Sequence, residues 1–263
     1  MRVAAVQMMP VLKDYLGNLR KASLLALQAA KAGAQLVVLP ELLTSGYSLM
    51  STAEALEFAE VLTEFNLSEL PQRISDAPFP NSGPCACPSQ VVFHAIAAEF
   101  NVYIAWGLVE KDAGTGQLYN SQVLMAPDGT WESYRKVNLW GNDFLWAKAG
   151  RANPPVARTP IGKIGLLVCR DVRDKSDKLD SFYEKGDADV VAFSANWGKG
   201  GFPAVHWMDF AKDNKVTLVV ANRYGIEAHN DFGLGGSCIV SADGRVSIDG
   251  LQWGEDCIVM GDA

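Results

Sequence analysis

Three reactive side chains share one feature: each stands at, or just past, the end of a run that reads as a β-strand. Glu41 follows Leu36-Val-Val-Leu-Pro40. A carboxylate straight after a buried strand is either a solvated loop residue or a positioned general base. Lys136 ends the second strand of an expected hairpin, in Tyr134-Arg-Lys-Val-Asn138. Most lysines are surface residues, so taken alone it is a spare cation. Cys169 ends Ile164-Gly-Leu-Leu-Val-Cys169 and precedes Arg170-Asp171-Val172-Arg173. A buried cysteine is commonly a small hydrophobe. This one borders a charged loop and an expected helix start, where partial positive charge favours the nucleophilic thiolate. Strand ends hold such groups rigidly while the adjoining loops leave room for a ligand.

The elements that must position them follow from periodicity and punctuation. Val3–Met8 and Gln35–Leu39 read as buried strands, and Asn18–Ala32, rich in Ala and Leu, as a helix stopped by Gly33. Ser51-Thr-Ala-Glu54 has capping-box spacing and opens a second helix. Residues 66–88, with five prolines, read as a long surface loop, followed by a helix over Pro88–Phe100 and a strand over Val102–Leu108. Leu118–Ala126 and Thr130–Val137 flank a Pro-Asp-Gly turn and form the hairpin. The second half repeats the theme, with strands at 164–169, 190–194 and 216–221, helices near 175–185 and over 204–214, and a hairpin around Ala242-Asp243-Gly244. Strand–helix units mixed with hairpins imply an α/β protein with a mixed sheet. With no linker between the halves, residues 1–263 read as one domain.

Composition narrows the classes. The chain is 49% hydrophobic and 20% charged, with a net charge of −7 and no basic or acidic block. That profile argues for a globular protein and against nucleic-acid or anionic-membrane partners. No stretch reaches the ~20 apolar residues of a membrane span, and Gln7 and Pro10 interrupt the N-terminal apolar run before a signal core forms. A cytoplasmic location is expected, in keeping with five cysteines that form no regular framework. Cys85-x-Cys87 with His94 lacks the second pair that a four-ligand metal site requires. Gly233-Leu-Gly-Gly236 lacks the strand-to-helix context of a phosphate loop. His94, His206 and His229 are scattered.

Taken in order, these segments resemble the nitrilase superfamily of carbon–nitrogen hydrolases over nearly the whole chain. The matching fragments are Ala5-Val-Gln-Met8, Gly33-Ala-Gln-Leu-Val-Val-Leu-Pro-Glu41, Tyr134-Arg-Lys136 and Gly165-Leu-Leu-Val-Cys169. Ser194-Ala-Asn-Trp197, Ala221-Asn-Arg-Tyr-Gly225 and Gly235-Gly-Ser237 continue them. The resemblance implies a four-layer α-β-β-α sandwich and a Glu–Lys–Cys triad, with Glu41 as general base, Lys136 as charge-stabilising lysine and Cys169 as nucleophile. The oxyanion would also take the backbone N–H of Arg170. No metal or organic cofactor is implied. Relatives are commonly dimers or higher, so self-association is expected by analogy.

The departures from the family pattern concern substrate handling. Asp143 stands where many members carry a second glutamate, which shortens its reach toward substrate or lysine by about one methylene. Asn138 replaces a common histidine, Arg170 a common aromatic, and the chain ends at Met260-Gly-Asp-Ala263 without the longer tail of many relatives. Cys169-Arg-Asp-Val-Arg173 looks more like the amidase and carbamoylase branches than the Trp-Glu continuation of true nitrilases. In omega-amidase-like members an arginine matching Arg173 pairs with a substrate carboxylate; a structural ion pair with Asp171 or Asp174 is the alternative. Tyr47, Trp140 and Trp197 are candidate pocket linings. The expected activity is hydrolysis of a small linear amide or carbamoyl compound to acid and ammonia. A nitrilase, or a weakly active homologue serving as a binding or assembly module, are the alternatives.

Overall fold

The structure is a computed structural model describing residues 1–64, 71–76, 87–151, 153–173, 187–198, 200 and 202–263. The helix expected near 175–185, most of the 66–88 loop and Cys85 lie outside the described residues. In chain order the first half holds β1 (Arg2–Gln7), α1 (Tyr15–Lys31), β2 (Leu36–Val38), α2 (Thr52–Leu56) and α3 (Pro88–Phe100). It continues with β3 (Tyr103–Lys111), β4 (Leu118–Met125) and β5 (Trp131–Arg135). The second half holds β6 (Val156–Thr159), β7 (Gly162–Val168), β8 (Val190–Ala195), α4 (Val205–Asn214) and β9 (Thr217–Asn222). A ribbon of β10 (Ile226–Glu227) and β11 (Asn230–Asp231) follows, then β12 (Cys238–Val240), β13 (Val246–Ser247) and β14 (Cys257–Asp262).

These strands make two mixed six-stranded sheets, ordered β14-β1-β2-β3-β4-β5 and β13-β12-β9-β8-β7-β6. Within the first, β1, β2 and β3 run parallel and the rest antiparallel; within the second, β7, β8 and β9 are the parallel set. The parallel strands are buried on both faces, which is why they read as continuous apolar runs. The inner faces meet in one core, where Val3, Ala5, Val38 and Leu124 pack with Ile164, Leu166, Val190 and Val219. On the outer face of the first sheet, Leu19, Ala22, Ala26 and Ala29 of α1 and Val92, Phe93 and Ile96 of α3 cover Ala4, Val37 and Ile104. Trp207 and Ala211 of α4 belong to the inner core's extension beyond the second sheet. The layers therefore run helix, sheet, sheet, helix, the expected α-β-β-α sandwich.

Local chemistry sets the element ends. Asp14 caps α1 by accepting from the Gly17 N–H at 3.1 Å, so the helix starts before the Ala/Leu-rich stretch that marks it in the sequence. Ser51 caps α2 through the Glu54 N–H at 3.2 Å, as its spacing predicts. Pro88 opens α3 and Asn101, at φ +52, closes it in the left-handed conformation. Four strands have no counterpart in the sequence reading: β6, the two-residue β10 and β11, and β14. β6 is a short partly exposed edge, and β14 interrupts its apolar residues with Gly261 and Asp262. β6 exists as the local hairpin partner of β7, matching Val156↔Gly165 through Thr159↔Gly162, whereas β14 depends on long-range pairing with β1, matching Arg2↔Asp262 through Gln7↔Cys257.

One side chain ties the two sheets below the site. Gln122 donates from Nε2 to the Ala192 carbonyl at 3.2 Å and to Ser194 Oγ at 2.8 Å, and accepts from the Leu167 N–H at 3.0 Å. Ser194 Oγ in turn donates to the Leu39 carbonyl at 2.6 Å. A buried polar group with every partner satisfied fixes one relative placement of the layers.

Candidate active site

Glu41 follows β2 in a tight turn and is fully buried, which rules out the solvated-loop alternative. The turn lies so close to β3 that a Cβ on Gly107 would fall 2.5 Å from Glu41 Cα. Only glycine allows that approach. The carboxylate is held from three sides: Lys136 Nζ at 2.8 Å and Asn120 Nδ2 at 2.7 Å donate to Oε1, and the Asn196 N–H donates to Oε2 at 2.8 Å. Asn196 Nδ2 also donates to the Glu41 carbonyl at 3.1 Å.

Lys136 immediately follows β5 and its side chain has no solvent exposure. Its backbone is pinned by donation to the Asn120 carbonyl and by acceptance from the Gly150 N–H, each at 2.8 Å. The ammonium lies 2.8 Å from Glu41 and 2.7 Å from Asp143. Burial alone would lower its pKa; the Asp143 and Glu41 carboxylates outweigh it and hold the lysine well above its ordinary value.

Asp143 reaches this lysine despite its short side chain because a 3-10 turn, Gly141–Leu145, carries its backbone inward. Its Oδ2 also accepts from the Trp140 N–H at 3.0 Å, and its Oδ1 accepts from Asn120 Nδ2 at 3.0 Å. Asn120 thus bridges both carboxylates. It was not among the sequence candidates; the signal available was a polar triplet, Asn120-Ser-Gln122, inside an otherwise apolar strand. Tyr47 adds to the same wall, donating from its hydroxyl to the Trp140 carbonyl at 2.6 Å. Burial, then the Asp143 charge, pushes its phenol far above the ordinary tyrosine value.

Cys169 lies in a four-residue 3-10 turn, Cys169–Val172, directly after β7. Its φ of +43° is left-handed, a conformation that non-glycine residues rarely adopt and that marks strained functional turns. Cys169 is 6% exposed. Burial pushes its pKa well above the ordinary cysteine value, the Glu41 charge adds to that, and Lys136 opposes it. The expectation that a helix start favours thiolate is therefore corrected: the turn is too short to supply a dipole, and burial and the Glu41 charge both favour the protonated thiol. Any attack by this sulfur needs its proton removed in the same event, and Glu41 is the carboxylate whose charge acts on it most, ahead of Asp143.

Of the remaining sequence candidates, Arg170 stacks its guanidinium 4.1 Å from the centre of the Trp140 ring. Arg173 is exposed at the end of the turn. Of the two carboxylates offered as its ion-pair partner, Asp174 lies outside the described residues, and Asp171 accepts from Tyr134 Oη and the Asn138 N–H. Trp197, with Phe202, Phe232 and Trp253, lines a hollow of about 260 Å³. Phe232 meets Tyr47 edge-on at 5.7 Å. A larger hollow of about 490 Å³, lined by Glu110, Asp112, Tyr119 and Arg135, includes none of Glu41, Lys136 and Cys169. Among the described residues no group of three or more His, Cys, Asp or Glu could hold a metal ion, and no helix is long and apolar enough to cross a membrane. The Cys87 thiol donates to the buried Glu60 at 3.0 Å.

Residues 2–262 match the family described as carbon-nitrogen hydrolase. A nitrilase of Pyrococcus abyssi is 32% identical over 245 residues, covering 93% of this chain and 83% of the relative. An omega-amidase of Xenopus tropicalis is 28% identical over 242 residues, covering 87% of this chain and 77% of the relative. Among solved structures, an amidase of Nesterenkonia sp. AN1, a mutant bearing acrylamide added to its active-site cysteine, superposes with a TM-score of 0.75. That match has 22% identity and covers 100% of this chain and 93% of the other, a likeness of fold.

Proposed function

The chain belongs to the carbon–nitrogen hydrolase family, and on that premise we propose that residues 1–263 form one domain hydrolysing a small linear amide or carbamoyl compound to acid and ammonia. The observation that carries this reading is the buried Lys136 ammonium, fixed between Glu41 and Asp143 and in charge contact with Cys169. Cys169 Sγ attacks the carbonyl carbon as Glu41 takes the thiol proton. The developing oxyanion is stabilised by Lys136 and by the Arg170 N–H. Collapse of the tetrahedral species breaks the C–N bond, Glu41 passes the proton to the departing nitrogen, and a thioester remains on Cys169. Glu41 then takes a proton from water, whose oxygen attacks the thioester; acid leaves and the thiol regains its proton. Asp143 positions the lysine.

Amides rather than nitriles are supported by Arg170-Asp171 after the nucleophile and by the relatives named omega-amidase and amidase. Arg173, exposed four residues beyond Cys169, would favour amides that carry a distal carboxylate. The test is ammonia release from a panel of short amides, carbamoyl compounds and nitriles by wild type and Cys169→Ala. Release from amides or carbamoyl compounds, abolished in the variant, is expected. Turnover of nitriles alone, or a variant as active as wild type, overturns the reading.

A further inference from the structure

Asp171 lies two residues past Cys169, is 3% exposed, and has no part in the scheme above. Its Oδ2 accepts from Tyr134 Oη at 2.8 Å and its Oδ1 from the Asn138 backbone N–H at 2.7 Å. The two donors bracket Lys136 in sequence, one two residues before it and one two residues after. Tyr134 belongs to β5 of the first sheet, whereas Asp171 follows β7 of the second. The carboxylate is therefore a clasp across the sandwich, joining the turn that carries the thiol to the segment that carries the ammonium.

We propose that Asp171 is a positioning residue for the hydrolysis, holding the Cys169 turn against the Tyr134–Asn138 segment so that thiol and ammonium keep one mutual geometry. The proposal rests on the reading of Cys169 as nucleophile and Lys136 as its charge partner. A four-residue turn entered at a left-handed φ has little regular hydrogen bonding of its own to fix it. Two hydrogen bonds to an ionised acceptor are among the stronger ways to do so. Displacement of reacting groups by about 1 Å costs roughly a hundredfold in rate.

The clasp is also sensitive to protons near neutrality. Burial pushes the Asp171 carboxyl up to about 7, while the Asn138 N–H, Lys136 and Tyr134 pull it down and the Glu41 charge raises it. Lys136 and Glu41 are the charges facing it from the first sheet, and Arg170 and Arg173 flank it on its own turn. Among the elements packed on that turn, β8 brings no ionisable side chain and α4 contributes Trp207 and Ala211 to the core it shares with Val172. Protonation removes the charge from both hydrogen bonds and turns one acceptor oxygen into a donor, so the clasp weakens as the pH falls through about 7.

The test is kcat and KM between pH 5.5 and 9 for wild type, Asp171→Asn, Asp171→Ala and Tyr134→Phe. Asparagine can accept from Asn138 and donate to Tyr134, so it keeps a neutral clasp that does not titrate. Expected are a kcat loss of about a hundredfold for Asp171→Ala and about tenfold for Tyr134→Phe, with KM within about twofold because Asp171 does not touch substrate. In Asp171→Asn the inflection of kcat near neutral pH disappears. An inflection unchanged in Asp171→Asn, or an unaltered kcat in Tyr134→Phe, overturns the proposal, and neither depends on Asp171→Ala folding. Wild type active and Cys169→Ala inactive, with Asp171 variants unchanged, sinks this proposal alone; a wild type that releases no ammonia sinks the hydrolase reading with it.

Discussion

Replacing Lys136 by methionine removes the ammonium and keeps most of the side-chain volume. In the native fold Nζ lies 2.8 Å from Glu41 and 2.7 Å from Asp143, with all three side chains fully buried. Without it the two carboxylates keep only their weaker donors: the shared Asn120 Nδ2, the Asn196 N–H and the Trp140 N–H. Breaking a buried charge network by removing one partner costs about 3–5 kcal/mol. At roughly 2–4 °C per kcal/mol for a chain of this size, Tm falls by about 6–20 °C. The cost depends on pH with a definite sign. A carboxylate that loses its cation has a folded-state pKa raised above its unfolded value, so the penalty is full at pH 8 and shrinks as the pH falls and a proton replaces the ammonium. Urea unfolding of both proteins at pH 8 and pH 5 measures it, with a larger difference at pH 8. The variant Lys136→Met/Asp143→Asn, which restores the original net charge of the cluster, should recover at least about 1 kcal/mol. Equal destabilisation at both pH values, with no recovery in the double variant, would refute the network as described.

Three further outcomes follow from the same geometry. Gly107→Ala puts a Cβ 2.5 Å from Glu41 Cα; it should cost about 1–3 kcal/mol in thermal unfolding and reduce ammonia release by more than that stability loss explains. Alkylation of Cys169 by iodoacetamide, followed on its peptide, should be slow at pH 7 and rise beyond the ordinary cysteine range, because burial and Glu41 raise the thiol; a rate already at plateau at pH 7 contradicts this. For Asp171, with its pKa raised from 3.8 to about 7, the folded state holds an extra proton between those values. The destabilisation it contributes therefore builds as pH rises through that window, to on the order of 4 kcal/mol. Asp171→Asn should gain stability relative to wild type between pH 5 and pH 8 in urea unfolding, and a constant difference would count against the buried carboxyl.

The parallel strands and α3 were legible because their signals are local. A buried strand is a continuous apolar run, and Pro88 and Asn101 mark both ends of α3. β14 was not legible because its pairing partner is β1, at the other end of the chain, and its own residues include Gly261 and Asp262. The same division runs through the site. Glu41, Lys136 and Cys169 each stand at a strand end, which sequence pattern marks, and the family resemblance assembles them. Asn120 bridges Glu41 and Asp143 only through the register of β4 against β5 and the segment beyond it, which no local pattern encodes. The thiolate expectation failed for a physical reason: it weighed a helix terminus that is a four-residue turn and could not weigh burial and a neighbouring carboxylate.

Peptide mass spectrometry of wild type, acid-quenched during turnover of a short amide, tests directly whether Cys169 is the nucleophile. An acyl group is expected on the Cys169 peptide, absent from Cys87, Cys238 and Cys257, with no ammonia release by Cys169→Ala. An acyl group on another residue while the amide is consumed, or turnover at the wild-type rate by Cys169→Ala, would contradict it.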